Sequence, residues 1–314
     1  MQISIVIPCY GSEATIEGVV KEITEAMEKR NAVYEIILVN DASPDHIWEK
    51  IISLCSNHEN IHGIHFSKNF GQHSALMAGY RHAKGDVVVS MDDDGQTPAD
   101  ELYKLLDKLE EGYDVVYAAY KRKKHNFFRN LGSKLNEYMC EKLLGKPKGL
   151  KATSYFVAKK FVIDEICRYH NPYAYVGGLI FRTTNNVGMV FVSHRARIMG
   201  DSGYNLRKLF ALWLNGFTAF SIVPLRISSY VGMSSAVLGF IYLIYILIRR
   251  LLNPFVQMGW SSITAIMLLL GGMILLVLGM IGEYLGRVYI GLNNAPQYVI
   301  KEKTYMEPKD TDFE

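Results

Sequence analysis

The sequence predicts an α/β domain on a mostly parallel sheet, followed by an amphipathic segment and two C-terminal membrane helices. Three observations predict it. Short β-branched runs alternate with helical patterns, polar clusters follow the runs, and two long stretches near the C-terminus carry no charge. The first of these marks a sheet of parallel strands joined by crossover helices.

The strands read at Ile3–Ile7, Glu35–Val39, Ile61–Phe66, Val87–Met91 and Val115–Ala119, with helical patterns near 14–30, 45–57, 72–84 and 99–111. In such a sheet ligands bind beyond the carboxyl ends of the strands. There the chain carries, in turn, Pro8-Cys9-Tyr10-Gly11, Asn40-Asp41-Ala42-Ser43, Lys68-Asn69-Phe70-Gly71 and Asp92-Asp93-Asp94-Gly95-Gln96.

Ile227–Ile248 runs 22 residues and Leu251–Gly282 runs 32 residues without a charged side chain, where about 20 apolar residues cross a bilayer. Spans are expected at about 229–249 and 261–284. The alternative is a pair of buried core helices, although such uncharged lengths are unusual in soluble cores. Before them Leu206, Leu209, Phe210, Trp213, Phe217 and Phe220 recur at helical spacing, with Pro224 ending the pattern. A helix lying on the membrane and a helix packed on the soluble domain both fit, because Ala211 and Leu212 blur the polar face. The expected divisions are 1–205 for a cytosolic catalytic domain, 206–228 for an interfacial helix, 229–285 for two spans with a short outer loop, and 286–314 for a cytosolic tail.

The opening Ile3-Ser4-Ile5-Val6-Ile7-Pro8 has neither a basic leader nor a long apolar run. The first domain is therefore expected to stay cytosolic. Two crossings return the tail, with Arg287, Lys301 and Lys303, to the same side, as the positive-inside tendency prefers; Arg249 and Arg250 in the outer loop run against it. Gly271, Gly272, Gly279, Gly282 and Gly286 would permit close helix contacts, so a homo-oligomer is compatible with the sequence.

Composition excludes several classes. Lys plus Arg number 34 against 31 Asp plus Glu, a net charge of +3, too balanced for nucleic-acid binding by bulk electrostatics. Cys9, Cys55, Cys140 and Cys167 have no zinc-ligand or disulfide-framework spacing. Neither GxGxxG nor GxxxxGK[ST] follows the first strand, which removes the usual dinucleotide and P-loop readings.

Three consecutive aspartates at a strand end repel one another unless a cation or full solvation relieves them. Strand alternation puts Asp92 and Asp94 on one side and Asp93 on the other. Hard oxygen donors suit Mg²⁺ or Mn²⁺, ions that keep substrate phosphates as further ligands, so a divalent metal holding a diphosphate is the implied device. An acidic cap on the helix beginning near Pro98 is the other reading, but Asp100 or Thr97 would serve it without three carboxylates.

The chain resembles the family 2 glycosyltransferases with a GT-A catalytic domain, and among them the membrane-anchored polyprenyl-phosphate glycosyltransferases. The resemblance rests on Ile5-Val6-Ile7-Pro8-Cys9-Tyr10, Val39-Asn40-Asp41-Ala42-Ser43, Asn69-Phe70-Gly71, Gly85-Asp86, Met91-Asp92-Asp93-Asp94-Gly95-Gln96-Thr97-Pro98, Arg197-Ile198-Met199-Gly200-Asp201-Ser202 and Ile281-Gly282-Glu283-Tyr284-Leu285-Gly286-Arg287 in that order. It implies that Asp92, Asp94 and Gln96 hold the metal and donor diphosphate, with Asp93 beside them on the donor side. By the same resemblance Asp41 reads the donor's base or ribose, and Pro8 and Tyr10 wall the nucleotide pocket. Arg129 and Ser133 match positions contacting the acceptor phosphate, and Arg197 and Ser202 a loop closing over the diphosphates. Gly11 and Ser12, Asn40, Asp93 and Gly203 depart from the usual pattern, which bears on donor-base selectivity. Arg207 or Lys208 could supply the charge of the lysine usual at 203.

The implied reaction is transfer of a sugar from a UDP- or GDP-linked donor to a polyprenyl phosphate, with inversion. A phosphate monoester, with a second pKa of about 6, needs no enzyme base. Arg129, one turn from Ser133 and flanked by Phe127 and Phe128, suits a shared phosphate, whereas Lys121 to Lys124 read as a solvated basic face. His65, His73, His82 and His194 read as structural or surface histidines, and Tyr169 to Tyr175 as a packed loop or a sugar-pocket lining. A processive polysaccharide synthase shares the fold but carries QxxRW; Trp48, Trp213 and Trp260 are none of them preceded by Arg. A noncatalytic nucleotide-sugar-binding scaffold would not require Asp92, Asp94 and Gln96 together.

Overall fold

The computed structural model describes residues 1–120, 141, 145–172, 174–193, 195, 223–252, 259–292 and 295–305. The chain forms two compact units, Met1–Tyr204 with Asn294–Glu314, and Asn205–Asn293.

The first unit is built on β1 (Gln2–Cys9), β2 (Val33–Asn40), β3 (Ile61–Phe66), β4 (Val87–Ser90), β5 (Val115–Tyr120), β6 (Phe156–Lys159), β7 (Val187–Val192) and β8 (Ile300–Lys303). They form one sheet in the order β7-β5-β6-β4-β1-β2-β3-β8. β1 pairs in parallel with β2 and β4, β2 with β3, and β5 with β7, whereas β6 and β8 are antiparallel to their neighbours. The five predicted strands and four predicted helices are present; β6, β7 and β8 were not foreseen.

β1 is buried from Ile3 to Cys9 because both faces of the sheet are covered, the condition under which a parallel strand reads as a continuous apolar run. On one face Ile3, Ile5, Ile7 and Cys9 join a core with α1 (Ile16–Lys29), α2 (Ile47–Asn57) and α4 (Leu102–Glu110). α1 supplies Ile16, Val19, Val20, Ile23 and Met27, the 3.6-residue stripe of an amphipathic helix, and α4 supplies Leu102, Leu105, Leu106 and Leu109. The opposite face carries Val6 and Val39 against α3 (Gln72–His82), with α5 (Lys160–Cys167) and α6 (Val176–Thr183) packed on α3.

Strand order reverses around β1: the chain proceeds to β2 and β3 on one side, then crosses to β4 on the other. A crevice therefore opens beyond the carboxyl ends of β1 and β4. The amino ends are locked separately. Buried Glu35 accepts hydrogen bonds from the Ser4 hydroxyl (2.6 Å) and the Lys84 amide (2.7 Å), while Ser4 Oγ accepts from the Gly85 amide at 2.7 Å. Asp86 accepts from the Gln2 amide (2.8 Å), so the Gly85-Asp86 pair fastens β4 to β1 far from the crevice.

The second unit contains α7 (Val223–Leu252) and α8 (Trp260–Leu292). Within α8, Leu269–Gly286 is long and apolar enough to cross a membrane; in α7 the apolar segment Tyr230–Tyr242 is shorter. Leu238, Met267 and Leu275 are each at least two-thirds exposed, unlike side chains of a buried core pair. Residues 223–228, grouped above with the amphipathic segment, belong to α7. Pro224 opens that helix instead of ending the preceding one, since the first turn requires no amide from it. Residues 206–222 lie outside the described residues.

Gly79 is where α3 meets the sheet. A Cβ there would stand 2.2 Å from Val6 Cγ1, a buried β-branched side chain with nowhere to move. Gly79→Ala is expected to destabilise the α/β unit by about 1–3 kcal/mol, read as a lower denaturation midpoint.

Candidate active site

Four loop segments meet at the crevice, each from the carboxyl end of a strand. β1 ends in Tyr10, whose ring is 55% exposed, and Gly11, whose φ of 70° is the left-handed conformation glycine adopts without strain. β2 ends in Asn40 and Asp41, both buried. β3 leads into Asn69-Phe70-Gly71 at the start of α3, and β4 into the three aspartates.

The three carboxylates have separate partners. Asp93 turns to the β1–α1 loop, where its Oδ2 accepts from the Tyr10 amide at 3.1 Å and its carbonyl accepts from the Thr15 hydroxyl at 2.7 Å. Burial pushes its pKa up to about 6, opposed by the hydrogen bond from the Tyr10 amide and reinforced by the Asp92 charge. Asp92 accepts from Gln72 Nε2 at 3.1 Å on one oxygen and from the Ser154 hydroxyl on the other. Asp94 Oδ1 accepts from the Gln96 amide at 3.1 Å. Asp92 and Asp94 both act on the Tyr120 phenol, whose pKa is raised mainly by burial and then by these two charges, against a 2.8 Å hydrogen bond with Thr97.

Asp41 Oδ1 accepts from the Phe70 amide (2.7 Å) and Oδ2 from the Gly71 amide (2.8 Å). Burial raises its pKa, and the two amides oppose that rise. With 3% exposure, its carboxylate is engaged in holding the β3–α3 loop. Asn40 Oδ1 caps Ser43, and Ser43 Oγ in turn accepts from the Gly11 amide at 2.8 Å, joining the β1 and β2 ends. The Gln96 carbonyl accepts from the Arg195 amide at 2.7 Å, which brings the segment after β7 to the same place.

The donor set suits a hard cation. Asp92 and Asp94 offer carboxylate oxygens, and among the described residues no group of three or more His, Cys, Asp or Glu could hold a metal. Two carboxylates suffice for an ion that completes its shell with phosphate and water.

Arg129, Ser133, Arg197 and Ser202 lie outside the described residues, as do Lys121 to Lys124 and His194. Gln72, Ser154 and Tyr120, all at the site, were not singled out from sequence; Ser154 is 62 positions from its partner Asp92, a separation that leaves no local pattern. His65 pairs with Asn40 at 3.0 Å and stacks on Trp48, and His82 Nδ1 bonds the Ala78 carbonyl. Cys9, Cys55 and Cys167 are free thiols.

The α/β unit places its acidic residues at the carboxyl ends of parallel strands, beside the point where the strand order reverses. Residues 4–167 match the glycosyl transferase family 2 profile, just over half of the chain, and the chain belongs to that family. Residues 223–288 match the GtrB C-terminal hairpin. The chain is 32% identical over 310 residues to the uncharacterized glycosyltransferase YkcC of Bacillus subtilis (strain 168), covering 98% of this chain and 96% of that protein. It is 31% identical over 305 residues to the undecaprenyl-phosphate 4-deoxy-4-formamido-L-arabinose transferase of Proteus mirabilis (strain HI4320), covering 96% and 93%. In fold it is similar to glucosyl-3-phosphoglycerate synthase from Mycobacterium tuberculosis in complex with Mn²⁺ and UDP-glucose, with TM-score 0.52, 18% identity, and coverage of 69% of this chain and 77% of that one. The α/β unit is GT-A-like, and the protein is a glycosyltransferase.

His73, beside Gln72 in α3, has its Nδ1 sealed from solvent without a partner and its ring edge-on to Tyr175 at 5.2 Å. Burial lowers its pKa to about 4. The unfolded chain therefore binds a proton that the native state refuses, so His73 costs stability progressively as pH falls from about 6.5 towards 4. His73→Gln is expected to flatten the stability–pH curve across that window, measured by denaturant titration.

Proposed function

We propose that this chain is an inverting glycosyltransferase that moves a sugar from a UDP- or GDP-linked donor to the phosphate of a polyprenyl phosphate, such as undecaprenyl phosphate, at the cytosolic face of the cell membrane. The observation that carries the reading is the division of labour among the three aspartates at the switch point of the sheet. Asp93 is spent inward on the β1–α1 loop, which leaves Asp92 and Asp94, followed by Gln96, as the carboxylate pair for a Mg²⁺- or Mn²⁺-bound diphosphate. The exposed ring of Tyr10, next to Pro8, supports stacking of the donor base above the same crevice. The polyprenyl phosphate acceptor is supported by the Proteus relative, which matches nearly the whole chain.

A bound divalent ion would stabilise the departing nucleoside diphosphate electrostatically. The protein's own work is placement. Asp92 is oriented by Gln72 and Ser154, Asp41 holds the β3–α3 loop, and Arg129 with Ser133 binds the acceptor phosphate, whose dianion attacks the anomeric carbon without an enzyme base. Arg197 and Ser202 cover the diphosphate during transfer. A two-span membrane anchor, with the catalytic domain and both termini cytosolic, is supported by the exposed apolar helices and the hairpin match. It brings the α/β unit to a phosphate whose lipid chain cannot leave the bilayer.

The test is a panel of radiolabelled nucleotide sugars incubated with the purified protein and either undecaprenyl phosphate or undecaprenol. Product is expected from the phosphate alone, with a rate that rises through the phosphate's second ionisation near pH ~6 and then levels off. Equal glycosylation of the free alcohol would overturn the reading. Asp94→Asn, which keeps the shape and removes an anionic ligand, is expected to abolish Mn²⁺-dependent transfer while leaving the thermal transition intact. Arg129→Ala is expected to raise KM for the lipid phosphate more than KM for the nucleotide sugar; a larger donor effect would reassign Arg129 to the diphosphate.

A further inference from the structure

We propose that the segment entering the C-terminal strand, Gln297–Ile300, is a positioning element of the donor site, with Tyr298 acting through Phe66 and Phe70 on the loop that carries the Asp41 contacts. This rests on the donor site proposed above.

β8 lies antiparallel against the outer edge of β3, with Phe66 opposite Ile300 and Ile64 opposite Lys303. Its first residues therefore stand beside the carboxyl end of β3, where the loop to α3 begins. The pairing continues into that loop, because the Ser67 amide donates to the Val299 carbonyl at 3.0 Å.

A path of three rings starts at the same point. Tyr298 stacks on Phe66 with centroids 5.1 Å apart and planes 8° from parallel, and Phe66 meets Phe70 edge-on at 5.7 Å. The Phe70 and Gly71 amides hold the two oxygens of Asp41, and the next residue, Gln72, reaches Asp92. Gly71 adopts φ 91°, so two successive amides aim at one carboxylate only while this loop keeps an unusual backbone shape. Phe66 is fully buried, and Tyr298 is the ring closing it from the tail side.

Tyr298 is itself held in place. Arg81 Nη1 donates to its phenolic oxygen at 3.0 Å, and Arg81 Nη2 donates to the Tyr169 carbonyl at 3.0 Å. Gln297, 5% exposed, donates to the Asn171 carbonyl at 2.9 Å. Covering a sheet edge needs only ladder hydrogen bonds. The ring path into the β3–α3 loop goes beyond that service.

The other end of β8 supplies a control. Thr304 Oγ1 accepts from the Gly63 amide at 2.8 Å, and Trp48 Nε1 donates to Glu302 at 2.8 Å. Gly63 lies within β3 and outside residues 67–72, so the Thr304 contact secures the strand without touching the loop, whereas Glu302 stands opposite His65.

The experiment uses the full chain in detergent, titrated calorimetrically with UDP and with GDP in the presence of Mn²⁺, alongside kcat and KM for the nucleotide sugar. Tyr298→Leu is expected to weaken nucleotide binding by up to about tenfold, the worth of one aromatic pair, and to raise donor KM in proportion with kcat little changed. Tyr298→Phe keeps the ring and is expected to restore affinity, while Thr304→Val is expected to lower the melting temperature without shifting affinity. Wild-type affinity and KM in folded Tyr298→Leu, or an equal loss in Thr304→Val, would overturn the proposal. Should Tyr298→Leu fail to fold, Phe70→Leu tests the next ring, where unchanged affinity overturns it equally. A wild-type protein that binds neither nucleotide sinks the donor-site reading itself, an outcome distinct from variants that bind normally.

Discussion

Three carboxylates on consecutive residues at one strand end set the terms for everything around them. Like charges at such spacing cannot all remain ionised and unpartnered in a half-buried crevice. The chain resolves this by giving each a different direction. Asp93 is drawn under the β1–α1 loop, where burial favours its protonated form up to about pH 6 against the hydrogen bond from the Tyr10 amide. Asp92 takes partners from α3 and from the approach to β6, and Asp94 closes on the turn that follows it. Each of these partners comes from an element that the sheet order brings to the same edge, so the reversal at β1 and the acidic triplet are two aspects of one arrangement.

Asp41 extends the principle to β2. A buried carboxylate accepting two successive backbone amides fixes the loop that supplies them. That loop then presents Gln72 to Asp92, which connects two strand ends with no metal or ligand involved. The opposite end of the sheet relies on the same chemistry, with Glu35 receiving Ser4 and Lys84. Rigid clamps at the amino ends leave the carboxyl ends as the place where side chains can be committed to substrate.

The central strands were legible because β1 to β5 are β-branched runs buried on both faces, with helices of clear 3.6-residue period between them. The site was legible where its residues follow those strands directly. β8 was not. Three of the four residues of Ile300-Lys301-Glu302-Lys303 are charged because the strand covers an edge, and nothing local distinguishes it from a solvated tail. β6 has only four residues and is defined by neighbours distant in the chain, so Ser154 could not be associated with Asp92. Asp41 shows a different limit. Its resemblance to a donor-contacting acid was visible, but its hold on the Phe70 and Gly71 amides depends on a loop conformation that no residue type announces.

The place of β8 also constrains the helical unit. The chain leaves the α/β unit after Tyr204 and rejoins it at Asn294, so the two long helices are an insertion between parts of one sheet and not an appendage. Ile300–Lys303 hydrogen-bonds to β3, which requires residues 61–66 and 300–303 to share one side of any membrane that the intervening chain crosses. The number of crossings must then be even. Leu269–Gly286 in α8 is long and apolar enough to span alone, whereas the apolar segment of α7 is shorter. Parity removes the option of α8 crossing by itself. If α8 spans the bilayer, the chain between β3 and β8 must cross a second time for Ile300–Lys303 to reach its place on the sheet.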